Sequence, residues 1–415
     1  MIVQRAASRS AALILPVVLL VAAVAPQRAR AEPRFAARLG FACVVCHVNP
    51  SGGGLRTSYA RDVFEKQQLT FSPGNDAAAG LDFDPRISDR LTLGGDYRLA
   101  FIWQPRRKPD DPPPVNPTML ITLPTKLTFF PMQVDTYIGA ELSRHVTLYT
   151  DVGANGSFEA FGLIHGLPLG TYFKAGYFIP PYGTKLPNHT AVHRQPFLFQ
   201  PTDKDAGVEI GVARTWLDAQ VSLQNGSPGS PFDQAYRPAI SSRLALIGDL
   251  AGVKTTLGGS WRLNAFDVST PDPTTGAPHV LTTNDMQAGG FLWLSRGRLT
   301  YIGEGDVRIK DDAATLNADN RATRSGYFVL YNELMLLAAQ GVDVGLTYEF
   351  MDRDIYKSGD ALHRFGVQWA LFPAPYIEFQ GFVRYYRTTF RPTATDTVRV
   401  EQNQWELIAF LHLFW

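Results

Sequence analysis

The stretch LTYIGEGDVRIK, residues 299–310, carries two patterns at once. Leu299, Tyr301, Gly303, Gly305, Val307 and Ile309 fall on one parity, and Thr300, Ile302, Glu304, Asp306, Arg308 and Lys310 on the other. Successive side chains of a strand point to opposite faces, so this segment presents one apolar or small face and one charged face. A soluble sandwich buries the apolar side of such a strand, whereas a membrane barrel turns it to lipid and keeps the charges inside. Parity alone does not separate the two.

Count and spacing do. Val342, Val344, Leu346, Tyr348 and Phe350 alternate with Asp343, Gly345, Thr347 and Glu349, and residues 377–386 repeat the pattern. Strands are predicted near 90–103, 126–142, 145–154, 158–165, 170–178, 205–214, 217–225, 239–249, 252–265, 283–296, 299–310, 323–337, 341–352, 361–372, 375–390 and 403–415. The connections alternate. Long ones fall at 104–125, 179–204, 226–238, 266–282, 311–322, 353–360 and 391–402, with two to four residues between; only 155–157 is short where a long loop is due. An even strand number with short turns on one side and long loops on the other is the organisation of an outer-membrane barrel. Leu407, Ala409, Leu411, Leu413 and Trp415 end the last strand on an aromatic residue, which resembles the C-terminal signal read by the outer-membrane assembly machinery. Trp103, Tyr149, Trp216, Trp261, Trp293 and Trp369, near strand ends, suit interfacial girdles. The expected fold is an all-β transmembrane barrel of about 16 antiparallel strands over residues 81–415, with charges such as Lys254, Arg262, Glu304, Asp306, Arg308, Glu349, Arg364 and Arg384 lining a wet bore.

Charge and composition exclude other classes. The chain has 39 basic and 38 acidic residues, a net charge of +1, which gives nucleic acid or a polybasic membrane contact no basis. Arg5 and Arg9 precede an apolar run from Ala11 to Ala25, and Ala29-Arg30-Ala31 offers small residues at the cleavage positions. Residues 1–31 therefore read as a secretory signal. No Ser/His/Asp arrangement or carboxylate pair stands out, so a soluble enzyme has no visible site.

The only two cysteines lie in FACVVCHVNPSGGG, residues 41–54, spaced as Cys43-Val44-Val45-Cys46-His47. Two thiols three apart followed by histidine form the c-type haem attachment signature: the thiols add to the two vinyl groups and the histidine reaches the iron from the proximal side. A thioredoxin-like pair lacks its βαβ surroundings, and a zinc site lacks two further ligands of the right kind. Pro33 to Val45 reads as a short helix leading into the motif. The glycines of Asn49-Pro50-Ser51-Gly52-Gly53-Gly54 let the backbone pass close to a flat ligand. A second helix is expected with Leu55, Tyr59 and Val63 on its buried face. Residues 32–80 thus form a monohaem cytochrome c-like segment, small for burying a haem unaided, and it is expected to enter the lumen as a plug.

Together these features resemble the fused outer-membrane cytochrome–porins, whose best-known members oxidise ferrous iron at the cell surface. The resemblance implies that Cys43 and Cys46 attach one haem c and His47 is its proximal ligand. It also implies an electron conduit between an extracellular donor or acceptor, such as Fe(II), and a periplasmic cytochrome or other carrier. The barrel would lie in outer-membrane lipid, with both termini periplasmic. The continuation Asn49 to Gly54 departs from that of the iron oxidisers, which leaves ferrous iron itself open. The segments GYFIPPYG (176–183) and TYEFMDRD (347–354) are similar to porins of the phosphate-selective type, and a passive diffusion porin bearing a haem for assembly, sensing or docking is the alternative. No Met and no other His lies between His47 and Thr118, so a distal ligand must come from later in the chain. His145, His412 and His165 are the candidates by position and parity. His189 and His193, in the longest external loop, could bind metal there or reach iron if the loop folds inward, but a solvated loop role is the stronger reading.

Overall fold

A computed structural model describes residues 33–71, 84–103, 127–154, 156–186, 188, 190–197, 203–230, 232, 237–271, 278–316, 322–390 and 400–415. The expected signal segment, His189 and the whole of the long loop at 104–125 lie outside the described residues. A three-residue strand, β1 (Arg86–Ser88), pairs only with the start of β2 (Leu91–Trp103). From β2 the chain runs up and down through β3 (Thr128–Ser143), β4 (Val146–Gly153), β5 (Phe158–Ile164), β6 (Thr171–Phe178), β7 (Asp205–Ala213), β8 (Leu217–Gln224) and β9 (Ala239–Leu250). It continues through β10 (Val253–Pro271), β11 (Pro278–Arg296), β12 (Leu299–Leu316), β13 (Ala322–Ala339), β14 (Val342–Asp352), β15 (Ala361–Ala374), β16 (Ile377–Phe390) and β17 (Val400–Phe414).

Every neighbouring pair is antiparallel, and β17 pairs back onto β2 from Leu407 opposite Trp103 to Phe414 opposite Asp96. The result is a closed barrel of 16 strands, with β1 as a short spur. At the seam Gly95 and Trp415 exchange two backbone bonds, of 3.2 and 3.1 Å. Closure leaves no unpaired edge, the condition for a sheet to sit in lipid.

The two parities of residues 299–310 take the faces expected of them. Thr300, Ile302, Glu304, Asp306 and Arg308 are buried inside. The outer surface carries Leu148, Ile210, Leu246, Leu257, Leu346 and Val367, all exposed. Inside, ion pairs link neighbouring strands: Lys174 to Glu209 at 2.9 Å, Arg243 to Asp218 at 2.7 Å, Arg308 to Asp285 at 2.5 Å, and Arg364 to Glu349.

Two expectations need correction. Tyr149 and Trp293 are not girdle residues: both are buried in the bore, on the parity of Asp151 and Ser295. Strands β10 to β13 also run further than their alternation suggests, so that Pro271 pairs with Pro278 where a long loop was expected at 266–282. Those extensions are rich in Thr, Ser, Asp and Pro, without the apolar parity that marks a lipid-facing strand.

Candidate functional site

The N-terminal segment lies within the barrel, at the end where the turns are short. Its first helix, α1 (Pro33–Leu39), starts on a proline, whose fixed φ suits a first helical position. Gly40 ends it at φ +66°, short of the predicted Val45. A glycine takes this left-handed conformation without penalty, and the helix stops there. Arg34 and Arg38, one turn apart, reach the wall: Arg34 Nη2 donates to Glu378 (3.4 Å) and Arg38 Nη2 to Asp343 (2.6 Å). Phe35 packs on Phe64 and Phe372.

The second helix spans Tyr59–Leu69 with wide, i→i+5 turns. Its buried residues include Ala60, Phe64, Glu65 and Leu69, whereas Val63 is exposed. The face expected from an ordinary helical period is therefore corrected. Widening the turn shifts the buried stripe to steps of four and five. Leu55 precedes the helix and packs instead among Tyr137, Tyr149 and Phe161.

Between the helices, Cys43–Val45 forms one tight turn and His47 N donates to Cys43 O (3.0 Å). Asn49 Oδ1 accepts from Ser51 N and Oγ, closing the next turn. Gly52, Gly53 and Gly54 all have positive φ. A Cβ on Gly54 would stand 2.0 Å from Tyr149 Oη, so the glycine permits a close approach to the wall.

A second element enters from the opposite end. The connection from β6 to β7 was read as a solvated external loop, but its described residues up to Phe197 turn into the bore. Thr184 N donates to Glu304 (2.9 Å), Val192 N to Glu349 (2.7 Å), Gly183 N to Ser260 Oγ (2.8 Å) and Tyr182 Oη to Asp306 (3.0 Å). His193 is buried against Tyr331, their ring centroids 4.9 Å apart. Burial pushes His193 down to about 3, with Arg194 next in effect. The backbone donors of this loop take up lumenal carboxylates, and its Leu186 and Ala191 pack with Ala37 of α1. Lys185 Nζ donates to Ser51 Oγ (3.2 Å). Plug and loop meet inside the barrel.

Three cavities flank this meeting. One of about 560 Å³ is lined by Cys43, Cys46 and His47 together with Phe41, Lys185, Arg243 and Trp293. A second, of about 400 Å³, shares Cys46 and His47 but is lined otherwise by Arg56, Glu65, Glu378, His412 and phenylalanines. A third, of about 330 Å³, shares Gly183 and Lys185 with the first and contains His193, Glu304 and Asp306. Trp293 and Arg243 lie three and seven residues from the short-turn ends of their strands. At ~3.3 Å per residue and a tilt near 40°, the first cavity sits roughly 8–18 Å up the barrel.

The residues present fit a covalent haem. Both cysteines are free thiols on one cavity. Burial pushes Cys46 up to about 12, with Cys43 beside it, and holds His47 down at about 4, with Arg56 adding to the effect. The imidazole is therefore neutral at physiological pH, and its Nδ1 is buried without a hydrogen bond among the described residues. Lys185 is lowered to about 8, by burial first and then by Lys174.

The three distal candidates separate. His412 lines the second cavity, its Nε2 2.6 Å from Asp96 Oδ1 and its Nδ1 2.7 Å from Glu378 Oε2, so both nitrogens face carboxylates. His145 and His165 lie together near the short turns: His145 Nδ1 is 3.0 Å from His165 O, and His165 Nε2 is 3.0 Å from Thr147 Oγ1. Neither lines the three cavities. Sequence reasoning missed Lys185, Arg243 and Trp293. The available signal was the loop itself, whose Leu186, Ala191, Val192 and Phe197 are too apolar for a solvated connection.

No protein-family model and no curated protein matches this sequence. Solved structures do match. The outer-membrane channel DcaP of Acinetobacter baumannii superposes with a TM-score of 0.54 at 11% identity, covering 80% of this chain and 99% of that one.

The fold is that of an outer-membrane porin.

OmpT of Vibrio cholerae superposes with a TM-score of 0.52 at 11% identity, over 79% of this chain and 99% of its own. An anion-selective porin from Comamonas acidovorans gives 0.51 at 8% identity, over 78% and 99%. The porin-like barrel accounts for the part of the chain these structures cover.

Proposed function

We propose that this protein is an outer-membrane barrel whose N-terminal plug holds one haem c through Cys43, Cys46 and His47 and passes electrons across the membrane. The observation that carries the reading is the convergence of both thiols and the neutral imidazole on one cavity inside the bore. The hydrocarbon core, ~30 Å thick, blocks electron hopping. A bound haem would supply a one-electron redox centre part-way across. Around it Trp293 and Phe41 exclude water, the paired Arg243 holds a fixed positive charge, and Arg34 and Arg38 fix the plug to the wall. The partners on this reading are outer-membrane lipid, a periplasmic carrier and an extracellular donor or acceptor, ferrous iron among the possibilities. The termini would be periplasmic.

The second reading is a diffusion porin, and the likeness to solved channels, one of them anion-selective, favours it. One experiment separates the two. Protein expressed with haem-attachment machinery is placed in liposomes that enclose a redox dye, with ferrous iron outside. Dye reduction that disappears in His47→Ala supports the conduit. Solute leakage equal in wild type and His47→Ala, with no haem-dependent dye reduction, supports the diffusion porin.

A further inference from the structure

We infer that Lys185, carried into the bore by the loop between β6 and β7, is the sixth-position ligand of a haem held by Cys43, Cys46 and His47. This inference rests on the haem reading above. The choice of cavity comes first. Cys46 and His47 line two cavities, but Cys43 lines only the larger. A group bonded to both thiols and to His47 must occupy that one.

The donors facing that cavity are few. Among the described residues it contains no methionine and no histidine besides His47. Ser51 Oγ donates to Asn49 Oδ1 (2.9 Å). Arg243 donates to Asp218 (2.7 Å) and to Gly183 O (2.8 Å), and a guanidinium has no acceptor lone pair to offer a metal. Lys185 remains. Its amine is a nitrogen donor once deprotonated, on a four-carbon stem able to swing, and buried lysines give up their proton readily. Its one hydrogen bond among the described residues runs to Ser51, at 3.2 Å. It has no carboxylate partner there, whereas the fully buried Lys174 is paired with Glu209 at 2.9 Å.

The described histidines near the bore lie elsewhere. His412 is held between two carboxylates in the other cavity, and His145 and His165 engage each other near the short turns. His193 lies in the third cavity, beyond Gly183 and Lys185.

The test is spectroscopic and needs no turnover. Haem-loaded full-length protein in detergent, with bound haem first quantified by its absorbance in pyridine and alkali, is compared with Lys185→Ala and Lys185→Met by electronic absorption, EPR and CO binding. Wild type is expected to be six-coordinate and low-spin. Lys185→Ala should lose the low-spin signal and bind CO without waiting for a ligand to leave, and Lys185→Met should regain low spin with a thioether-to-iron charge-transfer band. For independence from variant folding, wild type labelled with 15N-lysine should show a lysine nitrogen hyperfine coupling in the ferric state. A high-spin wild type, an unchanged spin state in Lys185→Ala, a shifted potential without a spin change, or no lysine coupling would each overturn the assignment while leaving the attached haem intact. A protein with no thioether-bound haem overturns the assignment by removing the haem reading itself.

Discussion

Arg38 and Asp343 stand 305 residues apart in sequence and 2.6 Å apart in the barrel, with both side chains almost wholly buried. This ion pair bolts α1 to the inner wall beside the turn between β13 and β14. Removing one partner of a buried pair leaves the other charge uncompensated, at a cost of ~3–5 kcal/mol. Asp343→Asn should therefore release the plug helix, read as faster proteolysis after Arg34 or Arg38 and a higher single-channel conductance. Unchanged values for both would mean that the pair contributes nothing to seating.

Leu55 sits in a socket made by two glycines. A Cβ on Gly139 would stand 2.4 Å from Leu55 Cδ2, and one on Gly94 2.7 Å from Leu55 Cδ1. Gly139→Ala should destabilise the plug by ~1–3 kcal/mol through overpacking, and Leu55→Ala should remove most of that penalty in the double variant. The measurement is plug release in a urea titration of the four proteins of the cycle. Additive effects would refute the contact.

His193 makes the loop acid-sensitive. Its pKa in the folded loop is about 3, against an ordinary 6.5, chiefly because of burial. A histidine held below its ordinary value contributes stability that is full above pH 6.5 and is lost as pH falls through the folded value. Seating should weaken by ~2 kcal/mol between pH 7 and 5 and further toward pH 3. Conductance in planar bilayers should rise on acidification, and His193→Phe should flatten the response.

Glu65 acts in the other direction. Buried and accepting from Tyr376 N at 2.7 Å, it has a pKa raised by burial to about 7 from 4.5. For a raised carboxyl the contribution is full below pH 4.5 and is lost as pH rises through 7, a swing of ~3 kcal/mol. Protease cleavage in residues 59–69 should be slower at pH 5 than at pH 8. Glu65→Gln should show no such difference.

The barrel was legible because lipid imposes a simple code. All sixteen expected strands correspond to observed ones within a few residues where both faces carry the signal, as in 299–310. The reading failed where the faces do not alternate: in the extended hairpin of β10 and β11, and at Tyr149 and Trp293, which belong to packing against plug and loop. Within the plug, the spacing of Cys43, Cys46 and His47 was readable, since three adjacent side chains need no tertiary partner. The cavity they share was not, because Lys185, Arg243 and Trp293 reach it from three remote elements. The second helix shows a subtler limit: its buried face follows a wide turn that no ordinary helical period encodes.

The seam where β17 meets β2 ties the closure of the ring to the plug. Trp415 O accepts from Gly95 N across the seam and also from Arg56 Nη1 of the plug, at 3.5 Å. In the folded barrel one backbone oxygen thus serves both the closed ring and the seated plug. A shift of the plug would therefore be felt at the last residue of the closing strand, so the lock of the cylinder and its stopper share a single latch.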